Sequence, residues 1–137
     1  MNDKTIEWLL QGEAWIEYRT RLDLLGQNEK DPQVISARKA MLADTKIQSL
    51  LTELMNWPGI VLSSHKSASQ SFHKSAFLAD LGLNISDPQI KKITNKVMKH
   101  QSSQGPFQLT MNIPTHFSGS GEDEWAWALC DAPIVVS

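Results

Sequence analysis

A pattern that occurs twice constrains the fold of this chain more than any other feature. It consists of Leu-Gly, four further residues, Asp-Pro-Gln and a β-branched residue, and it occupies residues 25–34 and 81–90. Glycine often ends a helix because it adopts a left-handed backbone without a Cβ penalty, and Asp-Pro is typical of a helix start. Each copy therefore predicts a helix end, a short connection and a new helix that the aspartate caps.

The helix that follows the pattern also repeats. Its apolar positions recur with the same offset as the pattern itself: Val34, Ala37, Met41 and Leu42 return as Ile90, Ile93, Val97 and Met98. Self-similarity at a fixed period indicates stacked helix pairs, an α/α repeat array. The alternative is that Leu-Gly and Asp-Pro are common stop and start signals of unrelated helices. The equal connections and the apolar positions in register favour a structural duplication.

Apolar spacing predicts helices along most of the chain. The first ends at Gly12, the second runs to Leu25, and the third follows Asp31. The fourth begins after Asp44 and ends at residues 57–59. The serine-rich stretch 63–70 predicts a polar loop, and residues 101–121 predict an irregular segment. Acidic residues at 122–124 favour a helix N-terminus, so a last helix is predicted at Trp125 to Cys130. We therefore predict a single all-α domain over residues 1–137.

Composition excludes several classes of protein. The 13 basic and 15 acidic residues give a net charge of -2, which provides no positive field for nucleic acid or an anionic membrane. The single cysteine, Cys130, forbids an internal disulfide and a cysteine-rich zinc motif, which favours a reducing compartment. With no secretory signal and no apolar stretch long enough to span a bilayer, we predict a cytoplasmic protein without a cofactor.

The chain stops on an apolar stretch, residues 131–137, without a polar tail. Two expectations follow from this end. Either the sequence is the N-terminal part of a longer protein, or its apolar surface is covered by a second copy in a homo-oligomer.

Reactive side chains are densest between His116 and Asp131. We predict Asp123, Glu124 and Asp131 as candidate catalytic acids, because an apolar, tryptophan-lined pocket raises a carboxyl pKa. The candidate binding residues are His116, Trp125, Trp127 and Cys130. On the predicted last helix, Asp123 and Trp127 would share a face. The alternative is structural: acids stabilise a helix N-terminus, and a lone cysteine is usually a small buried apolar residue.

A basic face is predicted on the helix of the second copy, at Lys91, Lys92, Lys96, Lys99 and His100. In a concave helical array such a face can contact phosphate, and more often it is simply solvated. No arginine or aromatic residue is interleaved with these lysines, so the solvated interpretation is preferred.

Residues 101–107, Gln-Ser-Ser-Gln-Gly-Pro-Phe, follow a predicted helix and resemble the repeat of the squalene cyclase and protein prenyltransferase superfamily. The resemblance covers residues 70–130 and implies an α/α toroid around a central apolar cavity. This chain would then form a partial toroid or a curved helical array. Two departures separate it from those enzymes: the Asp-x-Asp-Asp proton-donor motif is missing, and the zinc set of Asp, Cys and His does not align.

These observations give one leading function and two alternatives. The leading hypothesis is a helical-repeat domain that binds an apolar small molecule or an extended protein segment in a concave face. The first alternative is an enzyme of the terpenoid cyclase or prenyltransferase type that uses the acids near the C-terminus. The second is a HEAT-like scaffold for protein or nucleic acid.

Overall fold

The computed structural model describes residues 2–62 and 66–135, and over these ranges the protein is mostly helical. Seven α-helices lie in the described part of the chain: α1 (Asp3–Leu10), α2 (Ala14–Arg19), α3 (Pro32–Ala43), α4 (Thr45–Leu54), α5 (Ser71–Asp80), α6 (Pro88–Met98) and α7 (Ala132–Val135). Two strands, β1 (Leu109–Asn112) and β2 (Asp123–Ala126), form an antiparallel hairpin, and a short 3₁₀ helix, Thr115–Phe117, lies between them. The expected stacking of helix pairs stays a prediction.

The chain divides into two compact units, one ending at Ser49 and one beginning at Leu50. In the N-terminal unit α2 packs against α1 and α3. The buried apolar side chains of this unit are Tyr18, Val34, Ala37, Met41 and Ile47. These include three of the four apolar positions predicted for the first copy of the pattern, so that part of the prediction is confirmed.

Arg21 connects the two main helices of the N-terminal unit. Its Nε donates to Glu17 Oε1 at 2.9 Å, and one terminal nitrogen donates to Gln33 Oε1 at 3.0 Å. The Arg21 side chain is only 15% exposed, so its charge-assisted bond to Glu17 is partly shielded from competing water, whereas the bond to Gln33 is exposed. Arg21 thus ties the end of the α2 segment to the first turn of α3.

In the C-terminal unit, α5 and α7 pack together and the β-hairpin follows α6. The buried apolar side chains of this unit are Leu51, Leu54, Trp57, Leu62, Phe72, Leu78, Leu81, Leu83, Ile93, Leu109 and Met111. Leu109 lies opposite Ala126 in the hairpin, and Leu62 forms an isolated parallel bridge to Met111 on the other side of β1.

The repeated pattern has the same local structure in both copies. In the first, the Asn28 backbone N–H donates to Asp31 Oδ2 at 3.0 Å; in the second, the Asn84 N–H donates to Asp87 Oδ2 at 2.9 Å. Each asparagine Oδ1 accepts a backbone N–H two residues later, at 2.9 Å in both copies. Asp31 and Asp87 stand at the N-cap positions of α3 and α6, as expected, and a proline follows each of them in the first turn. Their carboxylates make no capping bond to the helix and instead close the connection before it.

The helix predicted at Trp125 to Cys130 was wrong. Residues 123–126 form strand β2, and a turn follows at 129–131. Tryptophan fits a pleated, half-buried surface, and pairing with Leu109–Asn112 supplies the hydrogen bonds that a local helix would otherwise make. The partner strand lies well before this segment in the chain, which is why the local pattern of acids did not reveal it.

The second predicted helix changes type before its end. After α2 the backbone widens into a π-helical turn, Thr20–Leu24, in which the Leu25 N–H donates to the Thr20 carbonyl at 3.1 Å. Gly26 then adopts φ +60°, as the helix-end interpretation required.

Two further sequence predictions, the serine-rich loop and the absence of a membrane span, are compared with the described residues. The serine-rich loop predicted at residues 63–70 lies partly outside them. Across residues 2–62 and 66–135, no helix combines the length and apolar character needed to cross a bilayer.

The connection before α6 gives a first prediction. Asp87→Ala removes the acceptor of the Asn84 N–H and should lower the free energy of unfolding by about 1 kcal/mol. Asp31→Ala should have a similar effect through the first copy. Urea denaturation followed by circular dichroism measures both. Asp80→Ala, at an exposed position of the same unit, is the control, and a loss no larger than the control's would contradict the prediction.

Lys46 gives a second prediction. A side-chain hydrogen bond to Glu13 raises the pKa of Lys46 above its ordinary value of 10.5. Because the pKa of Lys46 is higher in the folded than in the unfolded chain, protonated Lys46 stabilises the folded state. This stabilisation is complete below pH 10.5 and is lost as pH rises through the folded-state pKa. The free energy of unfolding of Lys46→Met, measured by urea denaturation, should fall less steeply than that of the native chain as pH rises into the alkaline range. Lys39→Met, an exposed lysine on α3, should retain the native slope.

Candidate functional site

An apolar cavity of about 310 Å³ lies within the C-terminal unit. Helices α5, α6 and α7, the connection between α5 and α6, and the residues at the end of α4 form its walls. The lining residues are Leu54, Trp57, Ser75, Ala76, Ala79, Leu83, Asn84, Ile85, Ile90, Ile93, Thr94, Val97, Ile134 and Val135. None of these side chains is ionisable, so the cavity is uncharged over the part of the chain that the structure describes.

Small side chains on α5 leave space for this cavity. Ser75, Ala76 and Ala79 form its α5 wall. At the equivalent positions of the first copy of the repeat, the residues are Arg19, Thr20 and Asp23. Arg19 and Asp23 form an ion pair there at 2.7 Å. The second copy thus lacks the long and charged side chains of the first.

The connection between α5 and α6 also carries apolar side chains where the connection of the first copy carries polar ones. Leu83 and Ile85 line the cavity, whereas Gln27 and Glu29 stand at the equivalent positions of the first copy. Ile85 is 63% exposed, so the wall that it forms reaches the protein surface. The two connections share their hydrogen bonds and differ in the side chains that they present, apolar only in the second copy.

The polar groups of the lining residues differ in whether the fold satisfies them. Ser75 Oγ donates to the Phe72 carbonyl at 2.9 Å, and Asn84 Oδ1 accepts the backbone N–H of Ser86. Trp57 is only 8% exposed, and its Nε1 has no hydrogen-bond partner within residues 2–62 and 66–135. A buried indole N–H without an acceptor is uncommon in folded proteins.

A second concavity, of about 430 Å³, lies beside strand β1. It is lined by Leu62, Met111, Asn112, Ile113, Pro114, Phe117 and Ala128. Phe117 is 72% exposed at this surface. The groove contains no buried polar atom without a partner among those that the structure describes.

The predicted acids Asp123 and Glu124 lie exposed on β2, and neither lines the cavity. Neighbouring residues of a strand point to opposite faces, so the two carboxylates do not converge. Asp123 accepts from Asn112 Nδ2 at 3.0 Å, and Glu124 accepts from Ser120 Oγ at 3.0 Å. Both hydrogen bonds support the hairpin and the loop that connects its strands.

Asp131 is the one predicted acid that is buried, at 2% exposure. It directly precedes α7, and its backbone carbonyl accepts the N–H groups of Ile134 and Val135 at 3.0 and 3.1 Å. Those two residues line the cavity. Asp131 therefore lies at the start of the helix that closes one wall, although its own side chain is not part of the lining.

The predicted binding tryptophans contact the loop at residues 100–108. Trp125 stacks on His100 with ring centroids 3.5 Å apart and planes 4° from parallel. Trp127 Nε1 donates to Gln104 Oε1 at 3.1 Å. Residues two apart in extended chain lie on one side, which explains why both meet the same loop. On a helix, as predicted for residues 125–130, the two rings would instead lie on different faces.

His116 and Cys130 are both exposed, and neither lines the cavity. His116 lies on the 3₁₀ helix against Phe117, with ring centroids 4.2 Å apart. In the described ranges, no group of three or more His, Cys, Asp or Glu residues is arranged to hold a metal ion. On the predicted basic face, the Lys96 ammonium donates a hydrogen bond to the Met55 carbonyl.

The apolar positions Ile90, Ile93 and Val97 of the second copy were predicted from the sequence, and they line the cavity. The prediction did not extend to the cavity itself, nor to Ser75 and Ala79 in its wall. A position-by-position comparison of the two copies would have indicated it, because small or apolar residues replace charged or polar ones in the second copy. The absence of an acceptor for Trp57 Nε1 within residues 2–62 and 66–135 has no sequence signal, because it depends on what surrounds the ring after folding.

Comparison with known proteins yields no match to a protein-family model, a curated protein or a solved structure.

Proposed function

We propose that the C-terminal unit binds a small apolar molecule in the cavity between α5, α6 and α7. The observation that carries this proposal is a cavity of about 310 Å³ whose described lining is mostly apolar and includes no ionisable side chain. The ligand would be held by burial of apolar surface, at roughly 25 cal/mol per Å² removed from water.

The size of the cavity supports a small ligand. Small-molecule pockets in proteins have volumes of roughly 300–1,000 Å³, and engineered apolar cavities of about 150 Å³ already bind benzene. The volume of about 310 Å³ falls at the low end of the first range. It corresponds to a ligand of one or two rings or a short branched chain, and it is too small for an extended protein segment.

The resemblance of residues 101–107 to squalene cyclases and prenyltransferases would make the natural ligand isoprenoid-like. This extension of the proposal relies on the resemblance alone. The cavity is formed by other residues than those that carry the resemblance.

Binding can be tested with 2-isopropenylnaphthalene, an uncharged two-ring hydrocarbon. At a hundredfold excess over its dissociation constant, the ligand should raise the free energy of unfolding by about 2.7 kcal/mol. Calorimetric titration measures the dissociation constant, and ligand-dependent thermal unfolding measures the rise in the free energy of unfolding. We expect Ala76→Phe to weaken binding at least about tenfold, because the added ring occupies the cavity.

The control is Ala40→Phe, which places the same ring on the exposed face of α3 and should bind like the native chain. Ala79→Phe adds a ring at an exposed lining position, where it does not overpack the core, and it should also weaken binding. Equal binding by native chain, Ala76→Phe and Ala79→Phe would contradict the proposed site.

A second proposal, an acid-catalysed isomerising enzyme of the terpenoid type, is favoured by one observation. Asp131 is buried and directly precedes the helix whose Ile134 and Val135 line the cavity. A carboxylic acid there would protonate a carbon–carbon double bond and regain the proton at the end, so that the product is an isomer of the substrate. Ligand binding remains the first proposal because no acid is among the described residues that line the cavity.

The enzymatic proposal predicts that the native chain converts limonene, a ten-carbon, one-ring terpene of the size that the cavity admits, into an isomer detectable by gas chromatography and mass spectrometry. Asp131→Asn should lose this conversion while keeping its near-ultraviolet circular dichroism. Asp123→Asn, an exposed acid on β2, is the control and should convert limonene at the native rate. Absence of an isomer from the native chain, or equal conversion by Asp131→Asn, would refute this second proposal.

A further inference from the structure

We propose that two copies of this chain associate through the apolar groove of about 430 Å³ beside β1. The exposed face of α6 on each copy docks against this groove on the other copy. The groove is separate from the ligand cavity, because the two share no lining residue among those that the structure describes. This interaction therefore does not depend on the proposed function.

The groove is bordered by exposed apolar side chains. Its described lining includes Met111, Ile113 and Phe117, and Phe117 is 72% exposed. Leu129 directly follows the lining residue Ala128 and is 82% exposed. Large apolar side chains that are exposed together beside a concavity are typical of a surface that binds another protein.

Acidic residues also border the groove. Asp123 lies opposite the lining residue Asn112 in the hairpin. Glu124 lies opposite Met111, another lining residue, and Glu122 precedes both acids. All three acids are exposed, and none of them forms an ion pair with a described residue. The groove thus combines apolar surface with unmatched negative charge.

The complementary charge lies on α6 of the same unit. Residues 88–99 contain four lysines and no acid, and Lys91, Lys92 and Lys99 are exposed. Met98 is 59% exposed, and it shares a helix face with Lys91 because the two are seven residues apart. This face of α6 therefore presents an apolar side chain among basic ones, as a partner of the groove requires.

The basic and acidic surfaces are neighbours. His100 follows the end of α6 and stacks on Trp125, with ring centroids 3.5 Å apart. Trp125 and Asp123 are two residues apart in β2, so their side chains lie on one face of the hairpin. The basic end of α6 and the acidic border thus lie side by side, and no ion pair joins them among the described residues.

This arrangement favours a second copy over an unrelated basic protein. A patch with one basic half and one acidic half is self-complementary, because a two-fold axis places each half against the opposite half of the other copy. A foreign basic segment would match the acids and leave the lysines of α6 without a partner. A second copy matches both halves at once.

Charge reversal in two variants tests the pairing by sedimentation equilibrium. The native chain should form a dimer that weakens as salt is added, because ions screen exposed charges. Glu122→Lys/Glu124→Lys makes both halves mainly basic, and Lys92→Glu/Lys99→Glu makes both mainly acidic. Each variant alone should dimerise at least about tenfold more weakly than the native chain. An equimolar mixture of the two should form a heterodimer within about threefold of the native affinity.

Two further variants examine the apolar contact and the effect of net charge. Phe117→Ser removes an exposed ring from the groove and should weaken the dimer about tenfold. Lys30→Glu/Lys39→Glu is the control, because it has the same net charge as Lys92→Glu/Lys99→Glu and changes exposed lysines outside the patch. This control should dimerise like the native chain.

Several results would overturn the proposal and leave the ligand cavity unaffected. One is a native chain that stays monomeric, and binding of the synthetic peptide KLKLK by that monomer would assign the groove to a different partner. Another is a dimer that Phe117→Ser and the charge reversals leave unchanged. A third is an equimolar mixture in which the two charge-reversed variants do not associate.

Discussion

The hydrogen bond from the Asn84 backbone N–H to the Asp87 carboxylate is the interaction on which the candidate site depends most. It closes the connection between α5 and α6, which positions Leu83 and Ile85 in one wall of the cavity. It also fixes the start of α6, whose Ile90 and Ile93 form another wall. Because one turn of chain sets both walls, this connection positions two sides of the cavity, and the small side chains of α5 leave the space between them.

The two copies of the pattern illustrate how one backbone geometry supports different surfaces. Asn28 and Asp31 make the same bonds as Asn84 and Asp87, at nearly equal distances for each pair of atoms. In the first copy, Arg19 and Asp23 form an ion pair, while Ser75 and Ala79 at the equivalent positions line a cavity. The backbone bonds constrain the connection alone, so the outward side chains are free to differ.

The candidate site lies apart from the reactive side chains that the sequence made conspicuous. Asp123 and Glu124 were chosen because acids cluster before an apolar stretch, and the hairpin uses them in hydrogen bonds to Asn112 and Ser120. The cavity depends instead on the absence of bulk, at Ala76 and Ala79, and an absent side chain leaves little local signal. Of the three predicted acids, only Asp131 is linked to the cavity, because α7 follows it directly and forms one wall.

The sequence alone determined the mostly helical composition, the helix ends at Gly26 and Gly82, and most helix boundaries, because these depend on local backbone preferences. It also determined that three apolar positions after Asp31 are buried. Only the tertiary structure decided that residues 123–126 form a strand, because their partner strand lies elsewhere in the chain. It likewise decided that Trp57 is enclosed without an acceptor among the described residues, because the satisfaction of a buried donor depends on every element that packs around it.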